Sequence, residues 1–293
     1  MTKIINTNTR DNVFTNPVED MPLISVMESL LRDRKSSKEV VEMPPRGSPV
    51  LACMSGGLDS TAIIAILLEE FGYNVYPFFI NRGQSNIANE VKSRDFYDNF
   101  FKESYPDTYH GVKELDITIP VKGYKDMLRN TKHLKDNPAL RKRNTYPARN
   151  PVMFLAGMEY GYSLQSTGVF PKSLFIAEQA DDFSVHGSLT LMRIMNVLFC
   201  YLLDDWDWQF ISLPIEKELG NYYGKDVLVK YCSEHNIPLE HTVSCTTKEE
   251  LQCGVCAMAC WDRRMAFKKA GVEDKTEYQY PMPVDKDHCK KDE

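Results

Sequence analysis

The chain has 293 residues with 35 Lys and Arg against 41 Asp and Glu, a formal net charge of −6, and it is 43% hydrophobic and 26% charged. These values exclude a disordered, collagenous or low-complexity protein, and without a basic excess they disfavour a dedicated nucleic-acid binder. Residues 62–68 and 197–203, the longest apolar stretches, are far short of the ~20 needed to cross a bilayer; residues 1–12 lack a signal-peptide core, so a cytoplasmic setting with reduced thiols is expected.

Residues 1–20 read as a loosely attached arm. A short helix is expected over 23–31, with Pro22 suited to its first turn. Pro44, Pro45 and Gly47 then break the chain. From residue 49 the pattern alternates. Strands are expected at 49–54, 75–80, 115–119, 174–176 and 210–213. Helices are expected at 60–71, closed by Gly72, at 86–101 with Asn86 as N-cap, and at 189–203 and 224–235. One more helix opens at Asn150-Pro151, as a cap followed by Pro in the first turn, and runs to about residue 162. Strands alternating with helices predict an α/β domain with a mostly parallel sheet. The expected division is an arm over 1–45, the α/β domain over 46–236, a cysteine-rich segment and helix over 237–280, and a disordered tail over 281–293.

Ser55-Gly56-Gly57-Leu58-Asp59-Ser60 falls between the first strand and the first helix of that domain. Ligands of parallel sheets bind at such strand ends. Two glycines let the backbone approach a phosphate, and the free N–H groups of a helix start suit an anion. Ser55 and Ser60 add hydroxyls, and Asp59 makes sense beside Mg²⁺ or a ribose hydroxyl. The plain alternative is a tight turn with an Asp-Ser helix cap. No Walker A or G-x-G-x-x-G sequence is present.

Four of the eight cysteines, Cys245, Cys253, Cys256 and Cys260, lie within sixteen residues. Four thiolates satisfy tetrahedral Zn²⁺ and leave no open position for a catalytic water, so a structural ion is expected. A set of buried free thiols is the alternative. Cys53, Cys200 and Cys232 fall in strand or helix patterns and are expected in the core.

The glycine-rich loop resembles the PP-loop of the ATP pyrophosphatases, which cleave ATP between the α and β phosphates and adenylate a substrate oxygen. Further landmarks follow in order: Gly83-Gln84, Pro147-Ala148-Arg149-Asn150, Ser244-Cys245, Cys253-Gly254-x-Cys256, Arg264, Ala266-Phe267, Ala270-Gly271, Asp274, Thr276 and Tyr278. Together they resemble the QueC family of 7-cyano-7-deazaguanine synthases over about residues 48–280. The fold so implied is a Rossmann-like parallel sheet with a C-terminal zinc-binding segment. The implied activity is an ATP-dependent carbon–nitrogen ligation: 7-carboxy-7-deazaguanine is adenylated, ammonia gives the amide, and a second ATP-driven step gives the nitrile.

The resemblance implies that Ser55, Gly56, Gly57, Asp59, Ser60 and Gln84 bind ATP, with Ser55, Asp59 and Ser60 catalytic. Arg149, Asn150 and Asp182 would bind substrate, and the four cysteines would hold Zn²⁺. Arg149 as a surface cation and Asn150 as a mere cap remain alternatives, and Arg141-Lys142-Arg143 reads as a solvated face. The chain departs from the family where Tyr-Pro-Asp-Cys is expected: it carries Asp182-Phe183-Ser184-Val185-His186-Gly187. The last cysteine gap is one residue longer than usual. These departures leave the nitrogen acceptor open between ammonia and a protein amine, the latter as in QueC-like proteins of bacterial antiphage defence. The expected assembly is a homodimer with no membrane or nucleic-acid partner. A tRNA thiolase-type PP-loop enzyme and a non-catalytic nucleotide-binding module are the competing classes. His186 is a candidate base, or a plain polar residue.

Overall fold

The computed structural model describes residues 17–117, 149–180, 184–257 and 259–289. Five strands form one parallel sheet: β1 (Pro49–Cys53), β2 (Asn74–Asn81), β3 (Lys113–Asp116), β4 (Ser173–Ile176) and β5 (Gln209–Ser212), in the order β3-β2-β1-β4-β5. The sheet is thus wound in two directions from β1, and a crevice opens where β1 and β4 diverge at their C-terminal ends. The sheet interior is well covered by helices: all four residues of β4 and of β5 are buried, Ser173, Gln209 and Ser212 included.

Helices α1 (Met21–Arg34), α2 (Leu58–Glu69), α3 (Ile87–Ser104), α4 (Arg149–Leu164), α5 (Leu189–Leu203), α6 (Lys225–Glu234) and α7 (Cys260–Ala270) complete the main elements. Helix α4 lies directly on the sheet. A Cβ on Gly157 would fall 2.4 Å from Cζ of Phe78 in β2, and one on Gly161 would fall 2.3 Å from Cδ1 of Leu51 in β1. Each mid-helix glycine costs about 1 kcal/mol relative to alanine, and the close approach of helix to sheet is what that cost allows. Helices α2 and α6 run side by side in the same direction. Lys225 at the start of α6 pairs with Asp59 at the start of α2, and Tyr231 near its end donates to Glu69 and Glu70 at the end of α2.

Helix α1 extends from 21 to 34, with Asp20 as its N-cap accepting from the Leu23 amide at 3.0 Å. It docks on α5 through a buried ion cluster. Arg193 donates to Glu28 at 2.8 Å and to both oxygens of Glu216 at 2.6 and 2.8 Å, with none of its side chain exposed. Glu19 caps α5 by accepting from the Leu189 and Thr190 amides, each at 2.8 Å.

Three local expectations are corrected. Strand β3 sits at 113–116 rather than 115–119, because this edge strand is defined by its pairing with residues 78–81 of β2 and not by its apolar residues. Asn86 is the N-cap residue of α3 as expected, but its side chain makes no cap bond; its Nδ2 donates instead to the Cys245 carbonyl at 3.2 Å. Helix α4 begins at Arg149, so Asn150 lies inside the first turn and does not precede it.

Candidate active site

The loop 54–60 leaves β1 at the crevice. Gly56 adopts φ +75°, a left-handed conformation that favours glycine. A Cβ there would lie 2.9 Å from the Glu90 carbonyl oxygen and 3.1 Å from the Arg94 nitrogen. The loop therefore rests against the backbone of α3. Two donors hold the Gly56 carbonyl: Ser93 Oγ at 2.6 Å and the Val243 amide at 2.9 Å. Gly57 is the N-cap of α2 and offers no side-chain cap.

Ser55 and Ser60 meet hydroxyl to hydroxyl at 3.0 Å, and Ser60 Oγ also donates to the Gly57 carbonyl at 3.1 Å. Within the same turn, Asp59 Oδ2 pairs with Lys225 Nζ at 3.1 Å, while Asp59 Oδ1 and Thr61 Oγ1 are buried without a hydrogen-bond partner among the described residues. A buried carboxylate oxygen with no partner is costly unless something binds it. Such an oxygen, beside hydroxyls and free helix amides, fits a hard cation accompanying a phosphate chain.

Gln84 does not reach the loop itself. Its Oε1 accepts from the Arg82 amide at 3.1 Å, and its Nε2 donates to the Glu90 side chain. Across the crevice, Asn150 Nδ2 donates to Glu178 Oε1 at 3.2 Å and lies 3.4 Å from the His186 carbonyl. Glu178 follows β4, and Ser212 of β5 fixes its carbonyl at 2.8 Å. Burial pushes the Cys53 thiol up to about 12, with Glu178 and Glu90 adding to the push, so both carboxylates stand near the end of β1. Arg149 takes the first position of α4. Asp182 and the run 141–143 lie outside the described residues. Cys200 and Cys232 are fully buried, and Cys53 is half-buried.

The four clustered cysteines converge. Their sulfurs lie within 4.8 Å of one another, Cys245 to Cys253 at 3.5 Å and Cys253 to Cys260 at 3.8 Å. Four sulfurs each ~2.3 Å from one tetrahedral ion are ~3.8 Å apart, so the cage matches a single ion. Backbone amides point at the sulfurs: Gly254 to Cys260 at 3.3 Å, Cys260 to Cys256 at 3.2 Å and Val255 to Cys253 at 3.5 Å. Such donors offset thiolate charge. Gly254, at φ +79°, has no room for a Cβ, which would fall 2.6 Å from the Tyr280 carbonyl.

Arg263 ties the two ends of this segment together. Fully buried, it donates to Thr242 Oγ1 at 2.5 Å, the Leu239 carbonyl at 2.8 Å, Thr276 Oγ1 at 2.7 Å and Tyr278 Oη at 3.1 Å. The chain it holds leads through Val243 to the Gly56 carbonyl and through Cys245 to Asn86. Arg263, Glu178 and Lys225 escape a reading of sequence. Lys225 alone leaves a trace there, as a cation in a helix first turn where the dipole disfavours one.

The doubly wound sheet and its Ser-Gly-Gly-x-Asp-Ser loop define an α/β protein of the PP-loop class. The queuosine biosynthesis protein QueC model matches residues 49–271, and the chain belongs to that family. It is similar to 7-cyano-7-deazaguanine synthase of Acetivibrio thermocellus, 28% identical over 77% of this chain and 95% of the relative. The synthase of Methanosphaera stadtmanae is 27% identical over 81% of this chain and 100% of the relative, and that of Methanosarcina barkeri 28% identical over 76% and 95%.

Proposed function

We propose that the protein is an ATP-dependent carbon–nitrogen ligase that adenylates 7-carboxy-7-deazaguanine and passes the acyl group to nitrogen. With ammonia the product is the amide, and a second activation gives the nitrile. Family membership supports this, as do relatives that are 7-cyano-7-deazaguanine synthases. The observation that carries it is the buried, unpartnered Asp59 oxygen in a serine-lined turn at the sheet's switch point.

The roles follow from position. Ser55, Gly56, Gly57 and Ser60 cradle the ATP phosphates with hydroxyls and amides at the positive end of α2. Asp59 would hold Mg²⁺ through its unpartnered oxygen, and the ion would neutralise polyphosphate charge when bound. Gln84 steadies Glu90, whose carbonyl backs Gly56. Asn150 meets Glu178 from α4, and Arg149 and Asp182 are assigned with it to the deazaguanine. Adenylation replaces a poor oxide leaving group by AMP, after which a neutral amine attacks. Cys245, Cys253, Cys256 and Cys260 would hold structural Zn²⁺, a reading supported by four sulfurs within 4.8 Å of one another, enough to fill a tetrahedral shell with no open position.

No helix among the described residues is long and apolar enough to cross a membrane, and a cytoplasmic enzyme is proposed. A second acceptor, a protein amine, is favoured by one observation. Where the family carries Tyr-Pro-Asp-Cys, Ser184 caps the turn at Gly187 and Ser188 caps α5 by accepting from Leu191. Those two side chains hold backbone.

The test is incubation with ATP and 7-carboxy-7-deazaguanine, with mass spectrometry of small molecules and of proteins. AMP and pyrophosphate are expected with amide and nitrile, or with an acylated protein. Asp59→Ala and Ser60→Ala should abolish both releases. Turnover within a few-fold of normal in both variants would refute the loop assignment.

A further inference from the structure

The start of α5 follows the turn after β4, at the edge of the sheet where the crevice opens. A helix leaves its first amides without partners of its own. Here those of the first three residues are all taken. Leu189 and Thr190 donate to the two oxygens of Glu19, each at 2.8 Å, and Leu191 donates to Ser188 Oγ at 3.1 Å. The first turn of α5 holds no acid of its own. The carboxylate that meets its dipole therefore comes from the far end of the chain.

Glu19 is held in place rather than carried on a loose arm. Thr190 Oγ1 donates to it at 2.7 Å and accepts from the Asp20 amide at 2.9 Å. Asp20 is the N-cap of α1, so Glu19 stands at the foot of a helix. Further along, Glu28 of α1 meets Arg193 of α5 at 2.8 Å and Lys217 at 2.7 Å. Sliding α1 along α5 would part this buried pair, which is strongly unfavourable. Helix α1 therefore docks on α5 in one register. It lies outside the segment matched to the family.

What this latch governs is the turn just before α5. Ser188 Oγ donates to the Val185 carbonyl at 2.9 Å, and the Gly187 amide donates to Ser184 Oγ at 3.2 Å. The turn and the helix start are thus one bonded unit. From it the His186 carbonyl faces Asn150 Nδ2 at 3.4 Å, and the same nitrogen donates to Glu178 at 3.2 Å.

We propose that Glu19 is a positioning residue for the deazaguanine: by filling the α5 amides it sets the turn 184–188 and, through the His186 carbonyl, the aim of Asn150. This rests on the substrate reading above. Glu19 itself makes no contact with the reacting atoms and moves no proton. The latch acts on the side of the crevice that takes the deazaguanine and leaves the phosphate loop alone.

The experiment compares wild type, Glu19→Gln and Glu19→Ala as full-length protein. Steady-state AMP formation gives kcat and the two KM values, and hydrogen exchange reads the amides of 184–190. Apparent affinity scales with the fraction of molecules whose site is in place, so Glu19→Ala should raise KM for 7-carboxy-7-deazaguanine about ten-fold. Its kcat and its KM for ATP should each change less than roughly three-fold. Exchange at 189 and 190 should quicken. Glu19→Gln keeps the length and one acceptor and should recover part of the effect. Added acetate, a free carboxylate, should lower the raised KM of Glu19→Ala. An unchanged KM for the deazaguanine with only a lower melting temperature overturns the inference and leaves Glu19 a plain helix cap. Equal rises in both KM values overturn it as well, because the latch does not touch the phosphate loop. Wild type that does not turn over the deazaguanine overturns the substrate reading and this inference with it, a result visible without any variant.

Discussion

Replacing Gly56 by alanine separates two costs that the loop combines. The first is conformational: φ is +75°, and an L-residue in that region costs about 1–2 kcal/mol. The second is steric. The new methyl would stand 2.9 Å from the Glu90 carbonyl and 3.1 Å from both the Arg94 nitrogen and Ser93 Cβ. Two of these atoms are backbone of α3 and cannot swing aside, so the loop must lift. Overpacking of this kind costs about 1–3 kcal/mol. Together they amount to roughly 3 kcal/mol, or about 6–12 °C in Tm for a domain of this size. Gly47 is the internal control, since it has φ +83° but nothing within 4 Å of its would-be Cβ. Gly47→Ala should carry the conformational cost alone, about 2–8 °C and less than Gly56→Ala. The loop shift in Gly56→Ala should also reduce AMP formation up to about 100-fold, because displacements approaching 1 Å cost that much. Thermal melts and pyrophosphate release measure the two effects. Equal Tm values for the two variants, with normal turnover in Gly56→Ala, would refute the packing of the loop on α3.

Other expectations follow from the same contacts. Cys256→Ser should lower the bound metal measured by elemental analysis and expose residues 245–278 to hydrogen exchange before the sheet opens; full metal content with unchanged protection would contradict a single-ion cage. Arg263→Met should destabilise by about 3–5 kcal/mol in chemical denaturation, because it removes the guanidinium 3.8 Å from the largely buried Asp274 carboxylate together with the donors to Thr242, Thr276, Tyr278 and the Leu239 carbonyl; a loss below 1 kcal/mol would show that water replaces it freely. Burial lowers Lys35 from 10.5 to about 8, so between those pH values the unfolded chain binds more protons than the folded one. Stability from this group therefore rises as pH climbs through that window, on the order of 3 kcal/mol in all. Lys35→Met should lack that rise, which urea titrations at pH 7, 8, 9 and 10 would read as the difference between the two proteins.

The parts legible in the sequence are those whose causes are local. The glycine-rich loop, the cysteine spacing and the strand–helix alternation each declare themselves within a few residues. What escaped depends on partners far along the chain. Nothing near Arg193 announces that Glu28 and Glu216 will neutralise it, and nothing near Arg263 announces Leu239 or Thr242. Asn86 and Asn150 show the complementary failure. Each sits beside a helix start, where Asn commonly caps the backbone, yet the fold employs their amides elsewhere, on the Cys245 carbonyl and on Glu178. Strand β3 departs from its expected bounds for another reason. At a sheet edge, two exposed residues, Lys113 and Glu114, belong to the ladder, so apolarity marks the wrong boundary.

The path from the sulfur cage to the phosphate loop is two residues long. Cys245 receives Asn86 through its carbonyl, and Val243 donates to the Gly56 carbonyl at 2.9 Å. Order in one place is therefore partly order in the other. Free energy shared in this way is reciprocal. Were an ion bound in the cage to raise the affinity of the loop for an anion by some factor, an anion seated in the loop would have to tighten the ion by the same factor. Through such a link the cage would act on the reaction without touching it. A cell short of the metal would see nucleotide affinity weaken before the protein unfolds, and a cell rich in nucleotide would see the metal retained longer than its four sulfurs alone dictate.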